Sequence, residues 1–342
     1  MENKLDFKKT MSGIWAFVKK HQAGMVAVIC AIILIAVLGW LSSLGIMSWS
    51  IETGLEGKTL WDWLQLAIVP IVLAVGALLF NRSEKKNEIK IAETRNKSDQ
   101  DIATDKQREE SLQKYIDKMT DLLLEKDLRE SKAGDEIRVV AKTRTLATLR
   151  SIDPIRKGLL LQFLFEAKLI DKQDRICDLE DADLAGINLS GTDLKGVNLS
   201  GANLEQAILV LTDLREADLS YANLDHAKLG WAFLTNANMT GAFLESADLS
   251  NASLNQANLN DANLCLSNLD RAHLDEANLS KADLAEANLN KADLTGANLI
   301  GAQLWKTKFD GAILKDATVT DKQLSEASSL AGTTMADGTV HR

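Results

Sequence analysis

The chain has 342 residues, 46% of them hydrophobic and 25% charged, with a net charge of −9. Three cysteines over this length exclude a disulfide-stapled scaffold, and the acidic balance argues against direct binding to nucleic acid. The charge is divided: residues 1–176 carry 28 Lys and Arg against 24 Asp and Glu, whereas residues 177–319 carry 9 against 21.

The first 21 residues are short and basic. Two uncharged stretches follow, 22–51 and 63–81, and each reaches the roughly 20 apolar residues needed to cross a bilayer. Residues 22–81 therefore read as two transmembrane helices with a short external loop. Lys4, Lys8, Lys9, Lys19 and Lys20 precede the first, and Arg82, Lys85, Lys86, Lys90, Arg95 and Lys97 follow the second. Between them lies only Lys58, so both termini are expected in the cytoplasm, with Trp40, Trp49, Trp61 and Trp63 near the outer interface. This makes membrane lipid a partner and places the chain in the inner membrane as a multi-pass protein.

Residues 82–130 are polar and helix-favouring and read as a stalk. Leu112, Ile116, Met119 and Leu123 form a 4-3-4 apolar seam within it, which offers a second copy a contact and predicts a homo-oligomer through the stalk. Residues 131–176 read as a helical N-terminal cap. The helix EIRVVAKTRTLATLRS presents Arg138, Lys142, Arg144 and Arg150, either to anionic surfaces (lipid or the acidic segment beyond) or to water. Asp153 and Pro154 then start a helix that is apolar nearly all round, from Ile155 and Leu159 to Phe165, and burial of the whole helix is expected.

From Leu179 to Val319 a large apolar residue falls every fifth position: 29 positions, of which Leu fills 26. Two residues earlier Ala fills 22 of 29. Five residues in a helix advance 140° past a full turn and define no face, while in a flat strand an odd period sends every other leucine into water. A chain that turns a corner once per repeat keeps every leucine inside, with four repeats closing one square coil. Asn or Asp before the leucine suits the turn backbone and can stack from coil to coil. Residues 320–342 begin with a capping box, Thr320 and Gln323, and read as a C-terminal cap.

ADLAE, ANLNK, ADLTG and ANLIG within residues 177–319 resemble the pentapeptide-repeat family, and the flanks resemble its membrane-anchored bacterial type with two transmembrane helices. The resemblance implies an all-β fold for this segment, a right-handed quadrilateral β-helix (a solenoid), here preceded by a transmembrane hairpin and an α-helical stalk and cap.

No catalytic motif occurs, the four histidines lack ligand spacing, and Cys177 and Cys265 stand roughly 20 Å apart on strand spacing, beyond disulfide reach. No enzyme, no metal and no cofactor is expected. A non-enzymatic, membrane-tethered scaffold fits best, presenting a rigid acidic rod to a protein partner. Two alternatives are an oligomeric membrane effector or channel with the rod as sensor, and a DNA-mimic topoisomerase-binding protein, as the resemblance to soluble acidic members of the family suggests. Ile208, Val210, Leu211, Trp231 and Phe233 break the polar outward pattern and are the candidate partner-binding residues.

Overall fold

The computed structural model of the chain describes residues 60–171 and 175–341. It divides into two compact units, Met1–Gln100 and Asp101–Arg342. Helix α1, Leu60–Leu124, runs for 65 residues with Pro70 inside it. No Gly or Pro interrupts residues 77–124, so nothing breaks the helix between the apolar stretch and the polar one. In the first unit every described side chain of residues 74–100 except Ser83 is exposed. Among the described residues no helix is long and apolar enough to cross a membrane. The first expected span, 22–51, lies outside the described residues; the second, 63–81, falls mostly on α1 residues described by backbone alone.

In the second unit the last turns of α1 pack with helix α2 (Glu136–Ser151) and helix α3 (Pro154–Glu166) over the mouth of the coil. The stalk seam requires a correction. Leu112 and Met119 are buried in the chain's own core and Ile116 and Leu123 pack partly against it, so these four residues are occupied within one chain. Tyr115 anchors the junction: its hydroxyl lies 2.7 Å from Thr145 Oγ1, which lies 3.1 Å from Cys177 Sγ.

Asp153 caps α3, its Oδ1 accepting from the amides of Ile155 and Arg156 at 3.1 Å. Leu160, Leu161 and Leu164 point into the coil and are fully buried. Burial of the whole helix does not hold: Ile155 is 79% and Leu159 55% exposed. A helix laid across a mouth one coil wide can bury one side only, so the opposite apolar side remains in water.

Cations fasten this cap to acidic groups. Lys142 pairs with Asp178 and Glu180, Lys157 with Asp183 at 2.9 Å and Arg175 with Asp218 at 2.8 Å. Arg156 reaches Asp105 and Glu109 on α1 at 2.9 and 2.8 Å. Of the α2 cations, Lys142 thus meets the acidic coil, Arg138 donates to Ser131, and Arg144 and Arg150 are exposed.

Past Cys177 the chain coils. Parallel bridges join residues 20 apart, as in Asn203↔Asn223 and Asn258↔Asn278, so four pentapeptides make one turn. In each repeat three residues are extended and two form the corner, the second of which takes a left-handed φ between +56 and +72°, as at Gln206 and Gly301. Leucines and alanines fill the interior almost without exposure, and each leucine contributes roughly 1.5–3 kcal/mol. Where a hydroxyl replaces Ala it finds a carbonyl: Thr212 bonds Leu189 O at 2.7 Å and Thr307 bonds Leu284 O at 2.8 Å. Outside, Asn278 Nδ2 donates to Asn258 Oδ1 at 2.9 Å and Asn298 to Asn278 at 3.2 Å, a ladder that ties successive coils.

An open coil end is a template for unwanted pairing. At the C-terminal end helix α4 (Asp321–Leu324) carries the capping box of Thr320 and Gln323. Gln323 Nε2 also donates to the carbonyls of Leu299 and Ala302, at 2.7 and 2.9 Å. Ser329 and Thr334 then bridge Lys308 and Ile313, and Thr334 pairs antiparallel with Val340.

Candidate interaction surface

The five candidate residues meet at one corner of the coil and its two adjoining walls. Leu211 and Trp231 occupy the same corner position in successive coils, with φ of 60° and 61°. Main-chain bonds fix this register: Leu211 N donates to Gly230 O at 3.3 Å, and Asp213 bridges Phe233. One coil rises roughly 4.8 Å, so the corner side chains are neighbours. Leu211 is 53%, Trp231 58% and Phe233 45% exposed, while Ile208 and Val210 are half-buried. None of the five belongs to the core. A left-handed backbone costs an L-residue about 1–2 kcal/mol, which makes a bulky side chain a poor choice for the corner on folding grounds alone.

Around this patch the surface is polar and its charges are largely paired. Arg215 holds Asp213, and the Asp213 carboxyl sits below the usual range because of that guanidinium. Lys195 meets Glu216 at 3.0 Å.

A second apolar group escaped the sequence reading. Tyr221 is 64% and Phe243 48% exposed, on the diagonally opposite corner and the wall beside it. Tyr221 lies flat over Gly241, one coil on, where an added Cβ would stand 2.6 Å from the ring. A Gly 20 residues after a Tyr was the available signal. Trp305 at another corner carries Lys306 Nζ 4.1 Å from its ring centroid.

The site has no reactive group. Burial pushes the Cys177 thiol up to about 11, and burial with Asp283, Glu245 and Glu286 raises that of Cys265. Among the described residues no cluster of His, Cys, Asp and Glu could hold a metal ion.

Residues 177–316 match the profile of the pentapeptide repeats in eight copies. The coil is a pentapeptide-repeat domain. Solved structures similar to the chain include QnrB1, a plasmid-mediated fluoroquinolone resistance protein, at 21% identity over 46% of this chain and 81% of that one, with a TM-score of 0.43. HetL, a pentapeptide-repeat protein involved in heterocyst differentiation regulation in the cyanobacterium Nostoc sp. strain PCC 7120, is similar at 26% identity over 53% and 98%, with a TM-score of 0.27. Rfr23 from the cyanobacterium Cyanothece 51142 is similar at 28% identity over 36% and 91%, with a TM-score of 0.22. No curated protein sequence matches.

Proposed function

We propose that the protein is a non-enzymatic scaffold, tethered to the inner membrane through residues 22–81 with both termini in the cytoplasm, that offers its pentapeptide-repeat domain to a protein partner. One observation carries the binding role: Leu211, Trp231 and Phe233 form an exposed apolar patch on a domain whose other outward positions are mostly Asn, Asp, Ser and Lys. Aromatic anchors of this kind dominate protein interfaces. The tether is supported by the two uncharged stretches and the basic residues flanking them. Intramolecular pairing of acidic groups, as in Lys195–Glu216 and Lys306–Glu286, weakens the field a DNA mimic needs and favours the scaffold over that alternative.

Trp231→Ala combined with Leu211→Ser tests the reading. Neither side chain enters the core, so the melting temperature should stay nearly unchanged while the partner no longer co-purifies from detergent extracts. Unchanged co-purification would move the interface to another wall.

A further inference from the structure

The mouth of the coil beneath α3 has four walls, and the chain covers three of them itself. The wall of Asn198 is paired by an extended segment: Asn198 N donates to Ile170 O at 2.9 Å and Asp171 bridges Val197. The walls of Asp183 and Asn188 lie under α3, where Lys157 grips Asp183 and Gly158 runs beside the Asn188 carbonyl. Over the fourth wall, residues 190–195, no main chain pairs among the described residues. Among the described residues the Asp193 N–H and the carbonyls of Ser190, Asp193 and Lys195 have no main-chain hydrogen-bond partner; the Asp183 and Asn188 N–H groups have none either, but their walls lie beneath α3, so the fourth wall alone combines unpaired groups with an open side. One coil further in, every equivalent group is bonded: Asp213 N–H to Thr192 O at 2.9 Å, and the carbonyls of Val210, Asp213 and Arg215 to the amides of Gly191, Leu194 and Gly196 at 2.8–2.9 Å.

Beside this open rim runs a groove of about 570 Å³, whose apolar flank is Ile155, Leu159 and Phe165 of α3 and whose end carries Glu166. The exposed side of α3 and the unpaired strand edge thus face the same space. We propose that this rim binds an extended, basic peptide segment of a partner protein, which adds one β-strand to the first coil and seats an apolar side chain against Leu159. The chemistry selects that occupant. Three free carbonyls against one free N–H, with the Asp193 and Glu166 carboxylates beside them, favour a cationic chain with its amides free to donate. A helical ligand uses its own amides internally and cannot satisfy the rim. The site is separate from the Trp231 corner, so either can fail alone.

A random dodecapeptide library displayed on phage, selected on the full-length chain in detergent, supplies the probe. Recovered peptides should alternate basic and apolar residues. Leu159→Ser and Ile155→Ser, both at exposed positions and neither changing the charge, should each weaken binding by about tenfold, roughly the effect of losing one good apolar contact, with melting unchanged. Trp231→Ala should leave binding intact. N-methylation of one peptide amide should lower affinity by a similar factor while methylation of the next, which points away from the rim, should not. The proposal is overturned by a library that yields no enrichment over a protein-free detergent control. It is equally overturned by binding indifferent to both α3 variants, or by peptides that tolerate N-methylation at every position.

Discussion

Asp183 and Lys157 form the ion pair that joins α3 to the first coil, and the two partners are unequal. The Lys157 side chain is 6% exposed and that of Asp183 41%, at a separation of 2.9 Å. Lys157→Met removes the charge that burial penalises, keeps an apolar stem of similar length and lets Asp183 face water. Its effect should stay within about 1 kcal/mol. Asp183→Asn does the opposite. The Asn retains the turn bond that Asp183 Oδ1 accepts from the Ala185 amide, as Asn does in other repeats, so the backbone is spared. It nevertheless leaves a buried ammonium facing a neutral amide. Breaking a fully buried pair costs about 3–5 kcal/mol, and water reaching the Asp183 side should reduce this to roughly 2. For a unit the size of residues 101–342 that corresponds to a loss of about 4–8 °C in melting temperature. Thermal unfolding of both variants followed by circular dichroism reads the difference. A Lys157→Met loss equal to or greater than that of Asp183→Asn would refute the asymmetry and show the pair to be solvated on both sides.

Asp153 and Asp178 are held below the usual carboxylate range: burial acts to raise them, and Arg156 and Lys142 override it. Their contribution is present above the unfolded value near ~3.9 and is lost as pH falls through the lower folded values. Lys142 is raised, with burial opposing and Asp178 prevailing, so its contribution holds below ~10.4 and fades as pH rises through the higher folded value. Asp178→Asn should therefore flatten part of both limbs in a melting-versus-pH profile; an unchanged profile would remove the cap ion pair from the account. In a Cys30→Ser background at pH 8, an aromatic disulfide reagent should label Cys265 slowly and Cys177 only on unfolding, and prompt labelling of Cys177 would show the cap open. A reporter active only outside the cytoplasm, fused after Arg342, should be silent, and activity would reverse the topology.

The period of five was enough to place every core leucine of the coil, because no other backbone keeps all of them on one side. Caps were legible where the signal is local: Asp153–Pro154 and Thr320–Gln323 need only neighbouring amides. What failed depended on the partner surface. The apolar ring of α3 could not say which side the coil would take, so Ile155 and Leu159 appeared buried. A 4-3-4 seam does not name its mate, and Leu112 and Met119 found theirs in the same chain. Leu211 and Trp231 were readable as outward because the phase fixes them, while Tyr221 over Gly241 required comparing residues one coil apart.

Proximity labelling in intact cells, from a labelling enzyme fused after Arg342, addresses the scaffold role most directly when the unaltered chain is compared with the Trp231→Ala, Leu211→Ser pair at equal abundance. The account predicts a defined set of cytoplasmic proteins labelled by the unaltered chain and lost with the double substitution, against an unchanged background of membrane neighbours. Identical labelling by the two, or labelling no different from that of the enzyme on residues 1–100 alone, would contradict it.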